Sequence, residues 1–243
     1  MIHIPTAPWV HYIGDGLAWA GAMFGGRWLY RKHRAQLERL SRQTEPSYFV
    51  ILALGGAVGA WLFGSLNTLR AATPTLSHSI AGALAGGIIA VEIWKWRRGI
   101  AQSTGGPFVV PICIGVIIGR WGCFFSGLAD GTFGAPTSLP WGVDLGDGVA
   151  RHPVQLYESA AMLLFLCVYL RALATGQLWP QKWGFHIMII VYASQRFCWE
   201  FFKPYPPLIG LFNLFHLLMI GMIIYGFVWI DRTCRSPSSS DTV

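Results

Sequence analysis

Seven stretches of predominantly apolar sequence, each about twenty residues long, recur along this 243-residue chain. They run over residues 9–29, 48–69, 77–96, 107–125, 153–174, 183–202 and 210–230. A helix needs about 20 such residues to cross the hydrocarbon of a bilayer. Within the hydrocarbon every backbone N–H and C=O must find its partner inside the chain, which leaves helices or a closed barrel. Runs of this length exclude the ten-residue alternation of a barrel strand. The expected fold is therefore an all-α integral membrane protein with seven transmembrane helices. Composition agrees: 53% of residues are hydrophobic and only 12% charged, against about 25% charged in soluble domains.

The net charge of +7 does not point to nucleic acid, because the basic residues fall in short blocks between the apolar runs. Arg27, Arg31, Lys32, Arg34, Arg39 and Arg42 follow the first run, and Lys95, Arg97 and Arg98 follow the third. Arg171 and Lys182 follow the fifth, and Arg232 and Arg235 the seventh. These thirteen share one side, whereas Arg70, Arg151 and Lys203 lie on the other. Basic loops stay cytoplasmic, so the N-terminus is expected outside and the C-terminus inside. One domain is expected over 1–232, with an outer loop at 126–152 and a polar, disordered tail at 233–243. The N-terminus has no basic region ahead of a short apolar core, so no cleaved signal peptide is expected.

Glycine pairs at four-residue spacing (Gly21/Gly25, Gly55/Gly59, Gly82/Gly86, Gly115/Gly119) predict close helix–helix approach. No phosphate-loop pattern and no internal repeat of the transporter kind occurs. Five cysteines form no CxxC pair and no metal-ligand spacing, which favours apolar packing over redox or metal roles.

Ionisable residues inside a membrane are costly and mark functional sites by default. Asp15, Glu92, Arg120, Glu158, Arg196 and Glu200 are that set. Glu92 stands one turn from Lys95 and reads as its ion-pair partner. Asp15 reads as a bend or an outer-rim residue. Arg196 and Glu200 share a helix face at four-residue spacing. Arg120 has no acid near it in sequence and so requires an anion from elsewhere. Two guanidinium forks near headgroup level suit a phosphate, which Arg grips through two parallel hydrogen bonds. The outer loop, rich in Gly, Pro and Asp, predicts ordered turns. It leads into RHPVQLYE (151–158), where His152, Gln155, Tyr157 and Glu158 gather at a helix start. Glu158 there also has a plain account, since an acid near a helix N-terminus is favoured by the dipole.

GRWGCFFSG (119–127) with Gly131, Thr132 followed by LPWGV (139–143), RHPVQLYE (151–158) and YASQRFCWEFFK (192–203) together resemble the prolipoprotein diacylglyceryl transferase family. The likeness runs from about residue 78 to 215, with GALAGG (82–87) a weaker part of it. It implies transfer of a diacylglyceryl group from phosphatidylglycerol to the lipobox cysteine of a prolipoprotein, at the outer face of the bacterial inner membrane. It implies a monomer, with neither metal nor organic cofactor, no nucleic-acid partner, and two lipid-bound substrates. Arg120, Arg196 and Glu200 match the family's functional arginines and acid, with His152 or His78 as the base. Gly122, Gly131, Gln155, Tyr157, Glu158 and Tyr12 complete the headgroup site. The chain departs from the family pattern at Cys123, Ser126 and Leu128, where the family keeps Asn, Asn and Glu. It departs again at Ala81, which stands where the family keeps its histidine. Two alternatives follow from those departures: a paralogue with another acceptor or lipid, and a non-catalytic lipid-binding or transport protein.

Overall fold

The computed structural model describes residues 2–32, 45–68 and 76–235. Arg34, Arg39, Arg42, Arg70 and tail residues 236–243 lie outside the described residues, and with them part of the basic-loop reading. Eight α-helices are present among the described residues: α1 (Val10–Lys32), α2 (Pro46–Thr68), α3 (Ile80–Arg97), α4 (Val109–Ser126), α5 (Val154–Ala174), the single turn α6 (Trp179–Lys182), α7 (Gly184–Glu200) and α8 (Leu214–Arg235). The seven long ones fall on the seven apolar runs. Four of them, α2, α4, α5 and α8, are long and apolar enough to cross a membrane on length and composition alone. Large apolar side chains face outward along the long helices, among them Trp19, Phe24, Leu54, Val58, Leu164 and Phe227. That pattern fits a bilayer and is costly in water.

The helices associate in pairs. α2 packs along α3, α1 along α4, α4 along α5, and α7 along α8. Glycine sets the closeness of the first two contacts. A Cβ on Gly59 would meet the Gly86 Cα at 2.8 Å, and one on Gly122 would meet the Gly14 Cα at 2.8 Å. Gly21 and Gly25 pack on the Ile114 side chain. The expected pair Gly115/Gly119 does not behave this way. Gly115 has nothing within 4 Å of its Cβ position and Gly119 only Ala18 at 3.9 Å. Both border an internal cavity, so the missing side chains enlarge a void rather than seat a neighbour.

One departure from an all-α fold is a three-stranded sheet of two-residue strands, β1 (Ile2–His3), β2 (Val143–Asp144) and β3 (Ala150–Arg151). β1 pairs in parallel with β2, and β2 antiparallel with β3. The N-terminal residues and the 126–152 loop therefore lie on the same end of the molecule. The turn after β2 is organised by Asp144, whose Oδ1 accepts the N–H groups of Gly146, Asp147 and Gly148 at 2.9–3.1 Å. Gly146 (φ 106°) and Gly148 (φ 75°) supply the left-handed backbone that this wrap requires. Asp144 also faces His3 at 2.8 Å. The Gly146 N–H first of all, with those of Gly148 and the nearby His3, holds its carboxyl below the usual range.

Candidate functional site

A cavity of about 1450 Å³ opens between the α1–α4 pair and the α2–α3 hairpin. Its volume exceeds the roughly 300–1,000 Å³ of small-molecule pockets. The walls are mostly apolar, and Arg120 and Arg196 both reach them.

The arginines are fixed by one carboxylate. Arg120 Nε lies 2.6 Å from Glu158 Oε2. Arg196 donates its Nη1 to both Glu158 oxygens, at 2.9 and 3.0 Å. Lys203 Nζ adds a third cation at 2.5 Å from Oε1. A second layer orients Arg196. Its Nε lies 3.1 Å from Glu200 Oε2, and the Asn213 amide donates to Glu200 Oε1 at 3.2 Å. Asn213 in turn starts α8, with its Oδ1 accepting the His216 backbone N–H at 3.1 Å. The Phe215 ring lies 5.5 Å from the Arg196 guanidinium, within cation–π range. Glu158, Glu200 and Arg196 are 0–2% exposed. Groups so buried persist only when paired, and this network draws its members from four helices and the segment after α7.

The anion that Arg120 requires is thus a protein carboxylate, Glu158, rather than an external phosphate alone. Glu158 is a fully buried hub, which corrects its reading as a helix-dipole residue. Three cations and two carboxylates leave an excess of one positive charge beside the cavity. Burial, with Arg196 nearby, pushes the Lys203 ammonium down to about 8.

The other sequence-derived site residues separate into two groups. His78, Tyr12 and Gly131 border the cavity together with the arginines. Gly131, in left-handed backbone at φ 69°, closes the turn after α4. His152, Gln155, Tyr157 and Gly122 do not border it. His152 packs between Tyr157 and Phe202. Tyr157 accepts the Trp141 indole N–H at 2.8 Å. Gln155 is fully buried, and Gly122 is the α1 contact described above. Glu92 meets Lys95 at 2.9 Å, the expected pair, and also accepts the Tyr225 hydroxyl.

A second ionisable group lines the cavity next to Arg120. His11 Nδ1 lies 2.9 Å from Asp130 Oδ1, and its Nε2 lies 3.4 Å from Asp15 Oδ2. Asp130 is also held by the Thr132 hydroxyl. Asp15 continues an unbroken α1, so it marks no bend. The His78 ring centroid lies 6.4 Å from that of His11. Cys123, one turn beyond Arg120, has its sulfur 3.9 Å from Arg120 Nη1. Donor atoms of His11, Asp15 and His78 all lie within 4.8 Å of one another, as do those of His11, Cys123 and Asp130. The sequence reading passed over His11 and Asp130. Its available signal was the four-residue spacing of His11 and Asp15 on one helix face.

A family model described as prolipoprotein diacylglyceryl transferase matches residues 10–231. The phosphatidylglycerol–prolipoprotein diacylglyceryl transferase of Solidesulfovibrio magneticus is 29% identical, with 92% of this chain and 93% of the relative covered. The protein of the same name from Nitratidesulfovibrio vulgaris strain DP4 is 31% identical over 86% of this chain and 83% of its own length. That from Methylocella silvestris is 31% identical over 84% and 80%. No solved structure matches the chain.

Proposed function

The chain belongs to the prolipoprotein diacylglyceryl transferase family, and from that premise we propose that it transfers a diacylglyceryl group from phosphatidylglycerol to the thiol of a prolipoprotein lipobox cysteine. It acts as a monomer in the bacterial inner membrane. Seven helices cross the bilayer, with the N-terminus and the 126–152 loop outside.

The acceptor sulfur attacks the glyceryl carbon, the carbon–oxygen bond to phosphate breaks, and glycerol phosphate leaves with the electron pair. The thiol proton passes to solvent or to the departing phosphate. As that bond breaks, negative charge grows on the phosphate oxygens, and donors already in place stabilise it without reorganising. One observation carries this reading: Arg120 and Arg196, locked by a single buried carboxylate in a network with one positive charge in excess, both reach a lipid-sized cavity. Glu158 holds the forks in position, and their remaining N–H groups face the phosphate. Glu200 and Asn213 keep Arg196 from rotating away.

Cys123, Ser126 and Leu128 favour a second reading, a paralogue with a different acceptor, because Cys123 stands against Arg120 where the family keeps an amide. Depletion of a cell's own transferase tests between them. Rescue of growth by this chain supports the prolipoprotein acceptor. Stable expression without rescue favours the paralogue.

A further inference from the structure

We propose that the cleft at the cavity mouth, with Asn67 of α2 on one side and Asp15 of α1 on the other, binds the acceptor through its backbone, as an extended peptide segment beside the reacting cysteine. That the peptide is the acceptor rests on the transferase reading. That the cleft takes a peptide backbone rests on the hydrogen-bonding groups it leaves open.

Asn67 stands in the last turn of α2 and borders the cavity. It is only 5% exposed, yet neither its carboxamide oxygen nor its nitrogen has a hydrogen-bond partner. A buried amide without a partner is costly, and such an orphan in a folded protein calls for a reason. A loose hairpin is not the reason, because this end of α2–α3 is tied within itself. The Ser65 hydroxyl donates to the Ser77 carbonyl at 3.3 Å and accepts the Ser77 N–H at 3.4 Å. The Ser79 N–H reaches the Ala60 carbonyl at 3.1 Å. Gly64, one turn before Asn67 on the same face, sits so close that a Cβ there would meet the His78 Cα at 2.8 Å. Asn67 is thus held at the cavity wall beside His78.

The other side of the cleft is α1. Asp15 is half-exposed, borders the cavity, and faces His11 Nε2 through Oδ2 at 3.4 Å. His11 is fixed from behind by Asp130 at 2.9 Å. Asp15 Oδ1 has no partner among the described residues. The His78 and His11 ring centroids lie 6.4 Å apart, so the hairpin and α1 come together here.

The cleft therefore offers a carboxamide that both donates and accepts, and a carboxylate that only accepts. An extended peptide supplies the complement. The N–H and C=O of one strand residue point the same way, which is how paired residues exchange two hydrogen bonds. One residue of the acceptor closes both bonds with Asn67, and a further N–H goes to Asp15. A phosphate fits less well, since it meets the like charge of Asp15. An ammonium headgroup has no acceptor for the Asn67 nitrogen. A segment leaving water for an apolar cavity must pair its backbone groups. Main-chain bonds also hold a peptide whatever its side chains, which suits an acceptor whose sequence varies.

The test titrates the full chain, purified in detergent, against a fluorescent lipobox peptide carrying serine in place of cysteine, read by anisotropy. A peptide series N-methylated at one backbone position each removes one N–H at a time. We expect methylation at two positions near the cysteine site each to weaken binding by about tenfold. One of these penalties should vanish in Asn67→Leu and the other in Asp15→Leu, as a double-mutant cycle reads it. Leu has nearly the size of Asn, so losing an unpaired amide should leave the melting temperature of the peptide-free chain no lower. Equal binding by every methylated peptide overturns backbone anchoring. Penalties that persist in both variants place the peptide elsewhere and overturn the site. A lower melting temperature for Asn67→Leu reveals a structural partner for Asn67 and does the same. Loss of phosphatidylglycerol affinity in the variants, with peptide affinity kept, gives the cleft to the donor lipid and overturns the proposal. Failure of the transferase reading is seen separately: the peptide binds with its methylation pattern, but its cysteine form gains no diacylglyceryl group. The wild-type series stands even where a variant does not fold.

Discussion

Along one stretch of the cavity wall, Arg120 and Arg196 emerge from a sealed network in which they, Lys203, Glu158 and Glu200 satisfy one another. On the other, His11, Asp15 and His78 share few protein partners, and Asp15 and His78 are open to the cavity mouth. The first wall is built on α4, α5 and α7, which pack directly on each other, with α7 also packing along α8. The second is built on the α1 face and the start of α3, which meet mainly across empty space. A leaving phosphate needs donors that are in place before charge develops. An acceptor that changes from one substrate protein to the next needs room to enter. The packed wall and the open wall match those two demands.

The largest expected effect breaks the packed wall at its hub. Glu158→Gln removes the carboxylate shared by three buried cations. It should cost about 3–5 kcal/mol of stability, as for a buried ion pair deprived of one partner. Thermal unfolding in detergent, together with the transfer assay, checks this. A variant that stays as stable as the parent would show that the hub is not structural.

Removing one clamp rather than the hub should separate grip from fold. Arg120→Ala is expected to lower turnover by about 10²–10³-fold, the range for deleting a donor to developing charge. Arg120→Lys keeps the charge without the fork and should fall in between. Rates from purified variants decide it, and equal loss in Lys and Ala variants would argue for fork geometry over charge.

On the open side, the α2–α3 hairpin depends on bare backbone contact. Gly59→Leu should cost about 1–3 kcal/mol through overpacking. Gly115→Ala, at a cavity-facing glycine with nothing within 4 Å, should leave stability unchanged. Paired unfolding curves test whether the two glycines differ as stated.

The smallest effect is a pH dependence. Lys203 titrates at about 8 in the folded chain and near 10.4 when unfolded. Between those values the unfolded chain holds the proton and the folded chain does not, so stability rises with pH across that window. Grip on phosphate moves the other way, since the excess positive charge is lost. KM for phosphatidylglycerol should therefore rise through pH 8 with no fall in melting temperature, and Lys203→Arg should flatten the KM profile.

The helices were legible because apolar run length is a local signal. The seven expected runs match the seven long helices to within a few residues. The Arg196–Glu200 and Glu92–Lys95 pairs were legible for the same reason, being one helical turn apart. The Glu158 hub was not, since its partners stand 38 and 45 residues away in sequence and its own position near a helix start had a simpler explanation. His152, Tyr157 and Gln155 looked like site residues because they share a motif with Glu158. Gln155 and Tyr157 do not border the cavity from α5, and His152, which precedes that helix, packs on Tyr157 and Phe202. The His11–Asp15–His78 cluster was hidden because His78 joins α1 only through folding. The two-residue strands at the N-terminus and in the 126–152 loop carry no periodicity that a sequence pattern can report.

The most direct measurement incubates the purified chain with labelled phosphatidylglycerol and a lipobox cysteine peptide, and reads the peptide by mass spectrometry. The account predicts a diacylglyceryl thioether on the cysteine and released glycerol phosphate, formed about 10²–10³-fold more slowly by the Arg120→Ala and Arg196→Ala variants. A folded wild-type chain that leaves both substrates unchanged, or alanine variants that keep the full rate, would contradict it.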